Sequence, residues 1–291
     1  MVRILAAVGL VLLFAAEVPA FTTRDMLGRN VTLAAPPRRI VSLVPSVTEI
    51  VYALGAENHL AGVTDFCDYP PAARGKPRVG GMVNPNLEAI VALKPDLVIA
   101  TTEGGREETV AQLKRLRIPT YLVAAHRVSD MTALIARVGE LTARRDAAAA
   151  LVATLEQRIA AVTGAVATRP RPRVLYVLWP EPLIVPGRES LVTELIRMAG
   201  GESISAGEGE SYPRYSLEAA VARAPAVILL ATHGAGTGPV DEGKWRGLTS
   251  LPAIRAGRLH RVNGDLLHRY GPRIVDGLEQ LARAIHPEAF K

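Results

Sequence analysis

The chain has 291 residues, enough for two domains of ordinary size, and 49% of them are hydrophobic, as in a globular core. The formal net charge is +6, but the basic residues are scattered and form no stripe of basic and aromatic side chains. We therefore exclude a nucleic-acid partner and interpret the charge as a solvated surface.

The first 20 residues predict a secretory signal peptide rather than a part of the fold. Arg3 gives a positive start, residues 4–16 form a short apolar run, and Val18-Pro19-Ala20 has the form of a cleavage site. The run is too short to span a bilayer comfortably, which disfavours the alternative of an uncleaved anchor. We expect cleavage near Ala20 and a mature chain in the periplasm.

Cys67 is the only cysteine, so the chain cannot form an internal disulfide and its core must stabilise it. No neighbouring motif indicates metal binding or reactivity at this thiol. We interpret Cys67 as a half-buried small residue.

From residue 38 onward the apolar pattern alternates between strand and helix. Ser46 or Thr48 is expected to cap the first helix, and Gly55 to end it. Helices between strands predict right-handed crossovers and a mainly parallel sheet. The predicted strands of this part are 39–44, 60–64, 97–100 and 119–123.

A long helical region follows. Ser129 is expected to cap a helix that ends near residue 141, and Thr142 a second helix that runs to about residue 166. Some twenty helical residues rise about 30 Å, enough to reach from one lobe to another. The pattern then divides the chain into a signal peptide (1–20), an N-terminal lobe (21–141), an interlobe backbone helix (142–168) and a C-terminal lobe (169–291).

The alternation of strand and helix restarts after residue 172 and ends in a helix over 272–285 with Pro272 in its first turn. The predicted fold class is α/β, with two lobes that have mainly parallel central sheets flanked by helices and are joined by a single long helix. A ligand is expected where the carboxyl ends of the strands of both lobes face each other. The predicted strands of this lobe are 174–178, 203–205, 226–231 and 259–262.

Residues 86–100 and 216–230 look like copies of one unit. Each has a capping residue, a Glu, a short apolar helix, a Pro and a buried strand, and Glu88 and Glu218 hold the same place in each copy. One such Glu would be explained by the helix dipole. The pair in repeated contexts favours a surface that a two-fold symmetric partner could grip.

Phe66, Tyr69, Trp179 and Tyr212 lie in loop-like sequence or at a strand end. They could be core aromatics, but their placement favours a wall for a large, flat or apolar ligand. His268 falls in a predicted cleft loop, where we interpret it as a partly exposed polar residue.

Enzymatic chemistry has no positive support in the sequence. The chain contains no G-x-S-x-G and no H-E-x-x-H, so a hydrolase triad of Ser46, Asp265 and His268 has no motif behind it. The glycine-rich segment 233–238 lacks the spacing of a phosphate-binding loop and is interpreted as a surface loop. We expect no enzyme activity, no metal site and no cofactor; a periplasmic metal-dependent enzyme and a sensing module remain the alternatives of other classes.

Residues 39–55 read RIVSLVPSVTEIVYALG and resemble the opening of the helical-backbone (class III) periplasmic substrate-binding proteins, which serve ABC importers of cobalamin, haem and iron–siderophores. GVTDFCDYPP at 62–71 and NLEAIVALKPD at 86–96 are most similar to the cobalamin-binding branch. Residues 187–190 and 265–273 extend the resemblance over nearly all of the mature chain. It implies a monomer that captures a corrinoid as its transported ligand and delivers it to the permease dimer of an ABC importer.

The resemblance also implies roles for single residues. Glu88 and Glu218 match the two glutamates that dock onto arginines of the permease subunits. Met82, Thr101 and Ile184 stand where the best-known cobalamin binder has aromatic residues, a loss that Trp179 could offset. The positions expected to contact ligand are Ser46, Phe66, Met82, Thr101, Trp179, Ile184, Tyr212, Asp265 and Arg269.

Two other ligands of the same class remain open. Haem binders of this class usually offer a Tyr or a His to iron, which His268 or Tyr270 could provide. Siderophore binders often show several arginine or aromatic residues, and Arg269 and Arg273 keep that ligand open.

Overall fold

The computed structural model of the protein describes residues 21–101, 107–232 and 242–290. The predicted signal peptide at 1–20 and the glycine-rich segment 233–238 lie outside these residues. Within them the chain forms two four-stranded parallel sheets, flanked by helices and connected through one long helix. The predicted two-lobe α/β fold class is confirmed, whereas the predicted lobe boundaries stay a prediction.

The N-terminal lobe begins with an antiparallel hairpin that the sequence pattern did not predict, formed by β1 (Phe21–Arg24) and β2 (Asn30–Leu33). Its parallel sheet has the strand order β4-β3-β5-β6. The elements are, in chain order, β3 (Ile40–Ser42), α1 (Pro45–Ala53), β4 (Leu60–Val63), α2 (Leu87–Ala92), β5 (Leu97–Thr101), α3 (Glu107–Arg115) and β6 (Thr120–Val123).

Two helices follow, α4 (Val128–Leu141) and α5 (Arg145–Val166). The 22 residues of α5 rise about 33 Å, since each residue adds about 1.5 Å. Among the described helices, α5 has the length and apolar composition that could cross a membrane. It packs against α4 and the last helix of the chain, which makes it the predicted interlobe helix.

The C-terminal lobe repeats the arrangement, with the strand order β10-β7-β11-β12. Its elements are β7 (Arg173–Val177), the hairpin strands β8 (Trp179–Pro180) and β9 (Leu183–Ile184), α6 (Leu191–Met198), β10 (Glu202–Ser203), α7 (Leu217–Ala222), β11 (Val227–Thr232), α8 (Glu242–Arg246), α9 (Pro252–Arg255), β12 (Leu259–Asn263), α10 (Gly264–Leu267) and α11 (Ile274–Ile285).

Several predicted helix caps are wrong. Pro45 supplies the first residue of α1, so the helix begins before Ser46 and Thr48 because proline has the required φ. The start of α4 is held by the Asp130 carboxylate, which accepts hydrogen bonds from the backbone N–H groups of residues 126 and 127 at 2.8 and 3.0 Å. Thr142 ends α4 instead of beginning α5, and its hydroxyl donates to the Val138 carbonyl at 2.7 Å. Pro272 lies before α11 rather than in its first turn.

The repeated unit of the sequence is also a repeat in structure. Asn86 caps α2 by accepting from the Ala89 N–H, and Ser216 caps α7 by accepting from the Ala219 N–H, both at 3.0 Å. In each copy the helix is followed by a residue with positive φ, 46° at Lys94 and 44° at Ala224.

A continuous apolar cluster connects the lobes. It includes Ile50 of α1 and Ile135 of α4 on one side and Leu195 of α6 and Leu278 of α11 on the other. Separating the lobes would expose this surface to water, at about 25 cal/mol for each Å². The lobes are therefore held close by packing as well as by α5. Cys67 belongs to the same cluster and is fully buried at 1% exposure, not half-buried as predicted.

Candidate ligand-binding cleft

A cavity of about 100 Å³ lies between the lobes, at the carboxyl ends of the parallel strands. The N-terminal lobe lines it with the segment that follows β3, with Met82, with the ends of β5 and β6 and with the middle of α4. The C-terminal lobe contributes the turn after α10. The lining residues are Val44, Pro45, Ser46, Met82, Thr101, Val123, Ala125, Leu134, His268, Arg269 and Tyr270.

Four of the nine residues predicted to contact ligand line this cavity: Ser46, Met82, Thr101 and Arg269. Ser46 is buried because it lies in the first turn of α1, which borders the cavity. The other five lie outside the cavity lining.

Three of these five are exposed aromatic residues: Phe66, Trp179 and Tyr212 have exposed fractions of 56%, 40% and 40%. Exposing large aromatic side chains to water is unfavourable in free energy. In a ligand-binding protein, such exposed side chains indicate a contact surface. Trp179 and Ile184 pair in the β8–β9 hairpin. Asp265 is half-buried in the first turn of α10.

His268 lies where the cavity meets the C-terminal lobe. Its Nε2 is 3.0 Å from the hydroxyl of Tyr176, and the two rings meet edge to face with centroids 5.9 Å apart. The centroid of the exposed Tyr212 ring lies 6.5 Å from that of the imidazole, also in edge-to-face geometry. Full burial, with smaller contributions from Tyr212 and Asp265, raises the pKa of Tyr176 well above its ordinary value. The Tyr176 hydroxyl therefore keeps its proton.

A cluster of charged residues crosses the cleft next to the cavity. The Glu49 carboxylate accepts two hydrogen bonds from Arg273, from Nε at 2.9 Å and from Nη2 at 2.6 Å. Nη1 of Arg269 lies 2.9 Å from Oδ1 of Asp68 and 3.4 Å from Oε1 of Glu49. The guanidinium of Arg273 also lies 3.8 Å from the centre of the Tyr69 ring, which is cation–π geometry.

The cluster fixes the charge state of its members. Burial alone would lower the pKa of each arginine, but the hydrogen bond of Arg269 to Asp68 and that of Arg273 to Glu49 raise both pKa values above the ordinary one. Burial likewise favours a higher pKa for Asp68, and the hydrogen bond and charge of Arg269 outweigh it, so the pKa of Asp68 is lowered. Both arginines and Asp68 are therefore charged at neutral pH.

Glu49 and Asp68 were not among the residues predicted to lie at the binding site. One available signal was that Glu49 is the charged residue in the otherwise uncharged sequence of α1, PSVTEIVYA. A charge within an apolar helix indicates a buried partner. The partner itself lies 224 residues away in sequence and could not be identified from the pattern.

Glu88 and Glu218 are both exposed and lie in the first turns of α2 and α7. Each helix leads back into a parallel strand, so its first turn lies toward the carboxyl end of the sheet. The two carboxylates thus occupy equivalent places, one on each lobe. In the part of the chain that the structure describes, no three His, Cys, Asp or Glu side chains are grouped as for a metal ion.

Residues 40–265 match the sequence profile of a family described as "Periplasmic binding protein". The chain belongs to this family. Its membership places the protein outside the cytoplasmic membrane and assigns it to the substrate-binding proteins of transport systems.

Within the family, the chain is 32% identical over 260 residues to the vitamin B12-binding protein of Salmonella typhimurium, covering 89% of this chain and 94% of that one. It superposes on the crystal structure of the periplasmic vitamin B12-binding protein BtuF of Vibrio cholerae with a TM-score of 0.77 and 28% identity, over 88% of this chain and 99% of that one. It also superposes on the periplasmic heme-binding protein RhuT from Roseiflexus sp. RS-1 with a TM-score of 0.75 and 29% identity, over 87% and 99%. The chain is thus a periplasmic binding protein that is similar to vitamin B12-binding and heme-binding members of its family.

Proposed function

We propose that the protein captures a corrinoid between its two lobes and delivers it to an ABC importer, without performing chemistry on it. The observation that carries this proposal is the cavity lined from both lobes and flanked by exposed aromatic side chains. A corrinoid has a broad apolar macrocycle and amide arms, so it needs a wide apolar contact and a few polar anchors.

The size of the cavity supports a divided binding site. At about 100 Å³ the cavity is smaller than the 300–1,000 Å³ typical of pockets for drug-sized ligands. Cobalamin is larger than a drug-sized ligand, so it cannot fit inside the cavity as a whole. The cavity would receive one edge or arm of the ligand, beside Ser46 and Arg269. Phe66, Trp179 and Tyr212 would contact the macrocycle outside it.

Delivery would rest on Glu88 and Glu218. Equivalent exposed carboxylates on two similar lobes suit a partner built from two related subunits, as a permease dimer is. The apolar cluster shared by the lobes limits how far they can separate. The importer would therefore recognise a nearly constant spacing between the two glutamates. The protein would act as a monomer and would be exported after cleavage near Ala20.

The proposal is tested by titrating the mature protein with cyanocobalamin, haemin and a ferric siderophore, followed by calorimetry and absorbance. Saturable one-to-one binding of cyanocobalamin, with no saturable binding of the other two, is the expected result. Binding of the siderophore alone would refute the corrinoid assignment.

Haem is the second candidate, since Tyr270 and His268 both line the cavity and could face iron. The chain is 29% identical to the heme-binding protein RhuT and 28% identical to BtuF, so the two solved structures support haem and a corrinoid to a similar degree. A saturable shift of the haemin Soret band that is lost in the Tyr270→Phe or His268→Ala variant would establish haem in place of a corrinoid.

A further inference from the structure

Arginines near a binding cleft ordinarily indicate an anionic ligand, but those of this cleft already have carboxylate partners. Arg273 donates both of its hydrogen bonds in the cluster to Glu49, whose side chain is only 3% exposed. Arg269, which lines the cavity, donates to Asp68 at 2.9 Å and lies 3.4 Å from Glu49. Charged hydrogen bonds of this kind are among the strongest in proteins.

The charges around the cavity do not sum to a positive site. The groups that act electrostatically on Arg269 are Asp68, Glu49 and Asp265, and those that act on Arg273 include Glu49 and Arg269. Two carboxylates, Asp68 and Glu49, are thus bonded to the two guanidinium groups, and Asp265 acts on Arg269 in addition. A ligand carboxylate that approaches Arg269 would meet these carboxylates and would have to displace Asp68 or Glu49 from a bond already made.

We propose that Glu49 and Asp68 are specificity-determining residues that occupy the two arginines and so make the cleft select a ligand with uncharged amide groups over one of the same shape with carboxylates. This inference rests on the proposed corrinoid function and deepens it. An amide oxygen can accept a hydrogen bond from a guanidinium N–H without separating the guanidinium from its carboxylate partners.

The two carboxylates contribute differently. Glu49 is buried between both arginines and ties them to α1, so it also positions Arg269 against the cavity. The Asp68 side chain is 44% exposed, and of the two arginines it bonds only to Arg269. Removing the charge of Asp68 leaves the Glu49–Arg273 pair intact, which makes Asp68→Asn the safer variant.

The test compares cyanocobalamin with a cyanocobalamin monocarboxylate, in which one propionamide arm is hydrolysed to the acid. The two ligands have the same shape and differ by one negative charge. Their affinities are measured by calorimetry at neutral pH and low salt for the wild-type protein, Asp68→Asn and Glu156→Gln. Glu156 is an exposed residue of α5, so its variant makes the same change of net charge away from the cleft.

We expect the wild-type protein to bind the amide form about tenfold more tightly than the acid, and Asp68→Asn to reduce this ratio about fivefold, as is reasonable for a charge at a partly exposed site. Glu156→Gln should keep the wild-type ratio. Glu49→Gln, if it folds, should reduce the ratio further and weaken cyanocobalamin binding because Arg269 loses its position.

Cyanocobalamin binding with no preference between the two forms, or with a preference that Asp68→Asn leaves unchanged, would overturn this inference and leave the proposed function standing. Tight binding of haemin, which carries two carboxylates, with no binding of cyanocobalamin would overturn both. The two failures are therefore distinguishable in one set of titrations.

Discussion

The hydroxyl of Tyr176 lies 3.0 Å from Nε2 of His268, so the buried end of the C-terminal sheet holds the imidazole at the cavity. Tyr176 keeps its proton because burial raises its pKa well above the ordinary value. One of the two side chains that a haem-binding hypothesis would assign to iron is thus engaged through Nε2 with the protein's own core.

The first prediction concerns haemin. We expect the wild-type protein not to ligate haem iron through Nε2 of His268, since that nitrogen is bonded to Tyr176. In Tyr176→Phe the nitrogen loses this partner, and a new histidine-type absorbance spectrum with haemin is expected. The Tyr215→Phe variant, altered at another tyrosine of the same lobe, is the control. A histidine-type spectrum in the wild type that disappears in His268→Ala would contradict the prediction.

Charge reversal at the two exposed glutamates tests the docking surface. In the Glu88→Arg/Glu218→Arg double variant we expect loss of stimulated ATP hydrolysis by the reconstituted importer, because both contacts become repulsive. Ligand affinity should change less than about twofold, since neither glutamate lines the cavity and exposed charges are screened by salt. Glu156→Arg, a single charge reversal at an exposed position of α5, serves as the control for a reversed surface charge. A loss of affinity would instead mean that these glutamates shape the cleft.

The third prediction compares how much a buried and an exposed ion pair contribute to the free energy of unfolding. Arg273→Gln leaves the buried Glu49 without its main partner and should cost about 3 kcal/mol of unfolding free energy. Arg158→Gln removes a similar pair of bonds, to Asp276 at 2.6 Å and Glu279 at 2.9 Å, from an arginine that is 36% exposed. That change should cost less than about 1 kcal/mol. Equal urea midpoints for the two variants would show that the interlobe cluster contributes no more than a surface pair.

Backbone strain at Ala224 gives the fourth prediction. Its φ of 44° is unfavourable for a residue with a Cβ. Ala224→Gly should therefore raise the unfolding free energy by about 0.5 kcal/mol, after the greater freedom of glycine in the unfolded chain is subtracted. Ala222→Gly, two residues earlier in α7, should lower it by about 1 kcal/mol. The measurement is thermal unfolding of both variants. A change of the unfolding free energy in the same direction for both would contradict the prediction.

The fifth prediction concerns acid. Because the pKa of Asp68 lies below its ordinary value of 3.8, its pairing with Arg269 stabilises the folded protein above that pH. The stabilisation should be lost as the pH falls through the lowered pKa of the folded state. The effect should stay below about 1 kcal/mol because the side chain is 44% exposed. The stability difference between wild type and Asp68→Asn, measured from pH 6 to pH 2, should shrink toward the acid end.

The sequence by itself determined the alternation of helices with the strands of the two parallel sheets. Strand and helix periods are local, so the apolar runs at Leu97–Thr101 and Val227–Thr232 and the helices before them could be assigned from neighbouring residues alone. The duplicated caps at Asn86 and Ser216 were likewise visible in the chain. Helix ends were less certain, as Thr142 shows, because a hydroxyl can serve the end of one helix as well as the start of the next.

The tertiary structure alone decided which side chains meet in the cleft. Glu49 bonds to residues 220 and 224 positions away, and no local pattern connects them. The short hairpin of β8 and β9, which presents Trp179, has only two residues in each strand, too few for a period to show. This long-range pairing decides whether Arg269 can bind an anionic ligand or is already neutralised by the protein's own carboxylates. The strength of an ionic contact is set by distance and burial, and not by position in the chain.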